Sequence, residues 1–247
     1  MKKILLFVWA SLLLSACHQP ALKQAGTIER DTIQGVPCCV YLPYAYKSNI
    51  TYPVLYLQHG MFGNEEDWIT QGNLVAIMDS LLKIDAVKEM VVIMPDNCPH
   101  RPTYEEEKEN AITGEWENNF AHFMAEAEQK YSISTDPSER AIAGLSMGGY
   151  HTMRVSCVLD GQFAYVGMFS PATFVHQAPT TPKVFWIGIG KEDFLYDSLQ
   201  VYRQWLDTNH IEYTYYESTG GHTWPNRQDY ITRFLPKLFH QLISNMR

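Results

Sequence analysis

The sequence lacks clusters of lysine and arginine, and its 19 basic side chains are outnumbered by 27 acidic ones among 247 residues. Proteins that bind nucleic acid need a basic face for the phosphates, so a chain with a formal net charge of −8 argues against that class of partner. We interpret the acidity as serving solubility.

Cysteine is also scarce. The chain has five cysteines, with no C-x-x-C pair and no Cys/His spacing typical of a metal site, so no metal is expected. Cys38 and Cys39 are adjacent, which in a strand directs their side chains to opposite faces. The four cysteines after Cys17 are interpreted as mostly buried small hydrophobic residues, with a disulfide left open.

Apolar runs long enough to span a bilayer are missing. Lys2 and Lys3 precede an apolar run from Ile4 to Leu14, which has the length of a signal-peptide core. The run ends in Leu14-Ser15-Ala16-Cys17, which resembles the lipobox of bacterial lipoproteins. We therefore expect a lipoprotein signal peptide over residues 1–17, a lipid on Cys17, a tether over 18–25 and one domain over 26–247. The protein would then be exported and anchored in the bacterial cell envelope, with an ordinary signal peptide as the alternative.

The remainder alternates short apolar runs with segments of helical spacing, which predicts an α/β domain with a mostly parallel sheet covered on both faces. The predicted strands are 27–32, 36–42, 54–57, 90–94, the run ending at Leu145, 164–169, 184–189 and 213–217. The predicted helices are 74–82, 116–131, the segment after Ser146, 199–209 and 227–244. Pro236 lies inside the last pattern and predicts a kink or an early end. The polar residues 97–115 are predicted to form a surface insertion.

One stretch carries the chemistry. Gly144-Leu145-Ser146-Met147-Gly148 stands between an apolar run and a helical segment, the arrangement of the G-x-S-x-G nucleophile elbow. A serine at such a turn lies at a helix N-terminus, where the backbone favours the negative charge of an oxyanion. The alternative is a glycine-rich helix start with a capping serine.

A serine nucleophile needs a base, and the base needs an orienting acid. In the order Ser…Asp/Glu…His both partners follow the serine, on loops at strand ends. His222 follows the last predicted strand and two glycines, and Asp193 follows the strand before it. Glu192 and Asp197 remain alternatives for the acid. The second oxyanion donor is expected after the strand ending near Leu57, which predicts a hole formed by the backbone N–H groups of Met61 and Met147.

These residues and several short motifs resemble one family of α/β-hydrolases, which contains feruloyl esterases, acetylxylan esterases, esterase D and the mycolyltransferases. The resemblance begins near Val36 and rests on an ordered set of motifs: Leu57-Gln58-His59-Gly60, Asp67-Trp68, Glu117-Asn118-Asn119-Phe120, Arg140–Gly149, Phe163-Ala164-Tyr165, Gly190–Asp193 and Gly221–Trp224.

The resemblance implies an α/β-hydrolase fold, the triad Ser146, His222 and Asp193, and the oxyanion positions Met61 and Met147. It further implies a serine esterase that removes a feruloyl or acetyl group from a plant polysaccharide such as xylan. Trp68 and Trp224 would line the acyl pocket, and no cofactor is expected. A siderophore-ester hydrolase or a peptidase on the same fold, and an inactive glycan-binding lipoprotein, are the alternatives.

Overall fold

The computed structural model describes residues 25–98, 103–180 and 182–239. The predicted signal peptide, Cys17 and most of the predicted tether lie outside the described residues, as does the end of the last predicted helix. None of the helices in the described ranges has the length and apolar composition needed to cross a bilayer.

In the described part of the chain, eight strands form one sheet in the order β1-β2-β4-β3-β5-β6-β7-β8. The strands are β1 (Thr27–Ile33), β2 (Val36–Leu42), β3 (Val54–Gln58), β4 (Val91–Pro95), β5 (Arg140–Leu145), β6 (Tyr165–Phe169), β7 (Val184–Gly190) and β8 (Thr214–Ser218). The first two strands pair antiparallel with each other, β2 pairs antiparallel with β4, and the remaining pairs are parallel.

Seven α-helices are assigned within the described residues. They are α1 (Asp67–Thr70), α2 (Leu74–Lys83), α3 (Tyr104–Thr113), α4 (Glu115–Lys130), α5 (Met147–Val158), α6 (Tyr196–Thr208) and α7 (Trp224–Phe234). Buried side chains of α4, α5 and α6 pack against one face of the sheet, and those of α1, α2 and α7 pack against the other. This two-faced coverage of a mostly parallel sheet confirms the predicted fold class.

The central strands are apolar along their whole length because helices cover both faces. Every residue of β3, β4, β5 and β6 is buried. Cys38 and Cys39 belong to the cores on opposite faces, as their adjacency in a strand predicted.

The polar segment 97–115 contains a helix that the sequence analysis did not assign. The glutamate-rich run is mainly exposed, as expected for a surface insertion, and residues 104–113 form helix α3. The predicted effect of Pro236 is confirmed: α7 ends at Phe234, and Leu235–Lys237 form a short 3-10 turn.

Candidate active site

Ser146 lies at the turn between β5 and α5, with φ 55° and ψ −118°. A positive φ is uncommon for a residue with a side chain, and such positions cluster at functional sites. The Ser146 N–H donates to the Phe169 carbonyl over 2.9 Å, and the Ser146 carbonyl accepts from the Ala172 N–H over 3.0 Å. The Ser146 side chain makes no capping hydrogen bond to α5 and lines a cavity. Ser146 thus stands at the N-cap position of α5, but its hydroxyl does not cap the helix, in contrast to the alternative interpretation of the motif.

Two glycines allow this turn because other backbone atoms occupy the space of their missing side chains. A Cβ on Gly148 would lie 2.1 Å from the His59 carbonyl oxygen, and one on Gly144 would lie 2.3 Å from the Gly148 oxygen. Helix α5 thus begins in direct contact with the chain that leaves β3.

We expect Gly148→Ala to destabilise the protein, because neither backbone segment can yield without shifting the end of β3. Overpacking of this kind costs about 1–3 kcal/mol, which corresponds to a fall in Tm of about 2–12 °C for a domain of this size. Thermal unfolding followed by circular dichroism measures the effect. Val158→Ala, at the exposed end of the same helix, serves as the control, and an unchanged Tm for Gly148→Ala would contradict the expected clash.

The His222 ring is held by a buried carboxylate. Its Nδ1 lies 2.8 Å from Oδ2 and 3.1 Å from Oδ1 of Asp193. An ionised carboxylate only accepts hydrogen bonds, so Nδ1 carries the proton and Nε2 is left with a lone pair. Burial disfavours the charged form of Asp193, but the hydrogen bonds from His222 and from the Leu195 N–H (2.9 Å) outweigh it. The pKa of Asp193 is therefore below its usual range.

The loops that carry Asp193 and His222 pack directly on each other. A Cβ on Gly190 would lie 1.9 Å from the Gly220 carbonyl oxygen, and Gly220 itself has φ 85°. The Glu192 N–H donates to that same carbonyl over 3.1 Å. Gly190 at the end of β7 and Gly220 after β8 therefore allow the contact that brings the imidazole to the carboxylate.

A cavity of about 490 Å³ lies at the carboxyl ends of the strands, and both Ser146 and His222 line it. Five segments that follow strands each contribute an aromatic ring to its lining: Phe62 after β3, Tyr104 at the start of α3, Phe174 after β6, Phe194 after β7 and Trp224 at the start of α7. Phe62 and Phe194 are 65% and 75% exposed, which is unusual for phenylalanine. The Phe194 ring lies 4.6 Å from the His222 ring, centroid to centroid. Aromatic rings thus form a substantial part of the cavity wall.

The predicted oxyanion residues Met61 and Met147 also line this cavity. The loop before Met61 is fixed from below by the buried His59, whose Nδ1 donates to the Gly60 carbonyl over 2.7 Å. His59 Nε2 accepts from the Asn97 N–H over 3.1 Å. A Cβ on Gly60 would lie 3.2 Å from the Ser146 Cβ, so this loop passes directly beside the serine. The imidazole of His59 therefore has a structural role.

The structure thus gathers Ser146, His222 and Asp193, with Met61 and Met147, at one edge of the sheet. Their roles in catalysis stay predictions. No group of three or more His, Cys, Asp or Glu side chains within the described ranges is arranged to hold a metal ion.

Comparison with known proteins identifies the family. The family model described as "Putative esterase" matches residues 33–212. The chain belongs to this esterase family. The predicted resemblance is confirmed by this match.

Among curated relatives of this esterase chain, an endo-1,4-beta-xylanase/feruloyl esterase from Xylanibacter ruminicola is 30% identical over 169 residues. The alignment covers 62% of this chain and 22% of the relative. An acetyl esterase from Caldicellulosiruptor saccharolyticus is 22% identical over 221 residues, which are 72% of this chain and 79% of the relative. The chain therefore matches only a small part of the larger, xylanase-containing relative.

Solved structures show the same fold. A ferulic acid esterase from Anaeromyces mucronatus superposes with a TM-score of 0.77 at 24% identity, covering 87% of this chain and 92% of that one. A feruloyl esterase module from Clostridium thermocellum superposes with a TM-score of 0.73 at 22% identity, covering 88% and 89%. The predicted α/β-hydrolase fold is confirmed.

The two tryptophans suggested for the acyl pocket have different positions in the structure. Trp224 lines the cavity. Trp68 is fully buried, donates from Nε1 to the Gln58 carbonyl over 3.1 Å, and contacts Trp224 edge to face at 5.5 Å. Trp68 is therefore not a cavity residue as suggested from the sequence, because its ring is enclosed in the core where it supports Trp224.

Sequence reasoning did not single out several residues of the cavity lining, among them Phe194 and Arg227. Phe194 directly follows the acid in a polar loop, where an apolar residue has no core to join. Arg227 stands three positions after Trp224, a spacing that places both side chains on one helix face. Burial lowers the pKa of Arg227, although the carboxylates of Asp193 and Asp67 raise it. Arginine nevertheless keeps its charge in proteins.

Proposed function

We propose that the protein is a serine carboxylester hydrolase that removes a feruloyl or acetyl group from a plant polysaccharide such as xylan. The observation that carries the proposal is the strained turn of Ser146 beside a cavity that it shares with the His222–Asp193 pair. Such a set performs acyl transfer without a cofactor.

In this mechanism the Ser146 hydroxyl attacks the ester carbonyl carbon while His222 Nε2 takes its proton. The C=O π-bond breaks, and the resulting oxyanion accepts hydrogen bonds from the Met61 and Met147 N–H groups. His222 then gives the proton to the departing alcohol, which leaves an acyl-enzyme on Ser146. Water, deprotonated by His222, releases the acid and restores the serine. Asp193 keeps the imidazole in the required tautomer and stabilises its cation.

The substrate class is supported by the names of the relatives and by the cavity. The relatives include a xylanase/feruloyl esterase and an acetyl esterase. The exposed rings of Phe62 and Phe194 offer flat apolar surfaces on which an aryl group or a sugar ring could stack.

Ester and amide substrates presented side by side test the proposal. We expect hydrolysis of methyl ferulate, p-nitrophenyl acetate and feruloylated or acetylated xylo-oligosaccharides, and labelling of Ser146 by a fluorophosphonate. Preferential cleavage of an amide or a triscatecholate ester would instead support a peptidase or a siderophore-ester hydrolase. A folded protein that is neither labelled nor active would contradict the enzymatic function and leave glycan binding.

We further propose that the protein is anchored to the cell envelope by a lipid on Cys17, with Leu14-Ser15-Ala16-Cys17 as the supporting motif. Cys17→Ser should abolish incorporation of a labelled fatty acid and move the protein to the soluble fraction, because the serine hydroxyl does not form the thioether. Cys157→Ser, which leaves the motif intact, should keep the label. Labelling of the Cys17→Ser variant at the wild-type level would exclude this anchor.

A further inference from the structure

Arg227 lies in the wall of the cavity, where its side chain contacts an aromatic ring but makes no hydrogen bond to another described residue. It lies in the first turn of α7 and lines the cavity with His222 and Trp224. Its guanidinium carbon lies 5.1 Å from the centre of the Trp224 ring. Its Nε is buried and makes no hydrogen bond. Buried polar atoms are nearly always paired, so this one needs a physical explanation.

The other arginines of the described residues all have side-chain hydrogen bonds. Their partners are Glu66 for Arg30, Gln162 and Glu128 for Arg140, Gln177 for Arg154, Tyr213 and Gln200 for Arg203, and Asp229 for Arg233. Arg140 and Arg154 also have a buried Nε without a partner, but among the arginines of the described ranges only Arg227 makes no side-chain hydrogen bond. No carboxylate in the described ranges lies within ion-pair distance of it.

The two carboxylates whose charges raise the pKa of Arg227, those of Asp193 and Asp67, have hydrogen-bond partners of their own. The Asp193 side chain is fully buried behind the imidazole of His222, which it binds. Asp67 lines the cavity, but its Oδ1 accepts from Gln71 Nε2 over 3.2 Å. The negative charges of Asp193 and Asp67 attract the guanidinium of Arg227, but neither carboxylate accepts a hydrogen bond from it. The guanidinium therefore presents unused N–H groups within the volume available to a substrate.

We infer that Arg227 is a specificity-determining residue that binds a carboxylate carried by the ester substrate, in either its acyl part or its alcohol part. A uronic acid unit or a dicarboxylic acyl group would meet this requirement. A guanidinium matches a carboxylate through two parallel hydrogen bonds, and the partly enclosed site strengthens such a pair. This inference rests on the proposed esterase function and adds the charge of the substrate to it.

Two matched pairs of esters test the inference on purified protein. In the pair 4-acetoxybenzoate and 4-acetoxybenzamide the carboxylate and its uncharged isostere belong to the leaving group. In methyl 4-carboxycinnamate and methyl 4-carbamoylcinnamate they belong to the acyl group. The measured quantity is the ratio of kcat/KM for the acid to that for the amide, in wild type and variants. Intrinsic reactivity cancels when the ratios are compared between proteins.

For Arg227→Gln we expect this ratio to fall about tenfold to a hundredfold in at least one pair, the usual size of a hydrogen bond to a charged group. Arg227→Lys keeps the positive charge but loses the planar pair of N–H donors, so its ratio should lie between those of the wild type and Arg227→Gln. Arg233→Gln removes the same charge from the same helix at a site that is outside the cavity lining and paired with Asp229, and should keep the wild-type ratio.

An unchanged ratio in both pairs would overturn the inference. That outcome includes an equal fall in kcat/KM for acid and amide, which indicates only a structural or electrostatic effect on the triad. Active wild-type enzyme with unchanged ratios leaves the proposed function intact. Absence of all Ser146-dependent hydrolysis would instead reject the proposed function itself. Thermal unfolding and fluorophosphonate titration confirm that each variant is folded.

Discussion

Replacement of Ser146 by alanine should lower ester turnover by about 10⁴- to 10⁶-fold, with little change in stability. The loss is large because no acyl-enzyme can form without the hydroxyl, and the base then has no proton to accept. The stability should change little because the Ser146 side chain makes no capping hydrogen bond and faces the cavity. Single-turnover and steady-state assays with p-nitrophenyl acetate measure the effect.

Ser156→Ala is the matched control for this experiment. Ser156 lies on the same helix, and its hydroxyl donates to the Met153 carbonyl in the core rather than lining the cavity. We expect its kcat to stay close to that of the wild type. A Ser146→Ala variant with more than about one hundredth of wild-type turnover would rule out Ser146 as the nucleophile, given the usual loss for this residue.

The second large effect is expected for Asp193→Asn, which should lower kcat by about 10⁴-fold. The amide can donate to His222 Nδ1, and the imidazole then carries its proton on Nε2, where it cannot act as a base toward Ser146. Asp197→Asn and Glu192→Gln change exposed carboxyl groups nearby and should leave kcat nearly unchanged. Full loss in either of them, with Asp193→Asn active, would assign the acid differently.

The same variant should change the acid stability of the protein. The pKa of Asp193 is held below its usual range, so its ionised form stabilises the fold above the unfolded-state pKa of about 3.9. That contribution is lost as the pH falls through the lower folded-state value. Asp193→Asn has no ionisable carboxyl group at this position and therefore lacks this contribution. Its free energy of unfolding should decline less than that of the wild type as the pH falls from about 5 to about 2. Urea unfolding at a series of pH values measures the slope, and parallel curves would contradict the assigned shift.

Much of the site could be predicted because its signals are local in the sequence. The glycines around Ser146 are required by close backbone contacts, as the space at Gly148 shows. Asp193 and His222 both follow β-strands at their carboxyl ends, and the order of strands brings those ends together. The end of α7 near Pro236 could also be predicted, because proline has no N–H for the helical hydrogen bond and its ring clashes with the preceding turn.

The remaining features depend on packing between distant segments. Trp68 and Trp224 have the same chemistry, and only the enclosure of one ring by the core distinguishes them. Helix α3 is polar with little periodic apolar pattern, so its composition indicates a loop as readily as a helix. Arg227 lacks a hydrogen-bond partner because no acceptor from the described segments around it reaches it, and a sequence pattern does not predict such an absence.

The aromatic lining has a consequence for how this protein can evolve. The rings of Phe62, Phe174 and Phe194 stand on loops, and Tyr104 and Trp224 are the first residues of α3 and α7, so none belongs to a strand of the sheet. A mutation at one of these positions can therefore alter a single part of the cavity wall while the strands keep their geometry. For the proposed esterase, substrate preference can change one segment at a time.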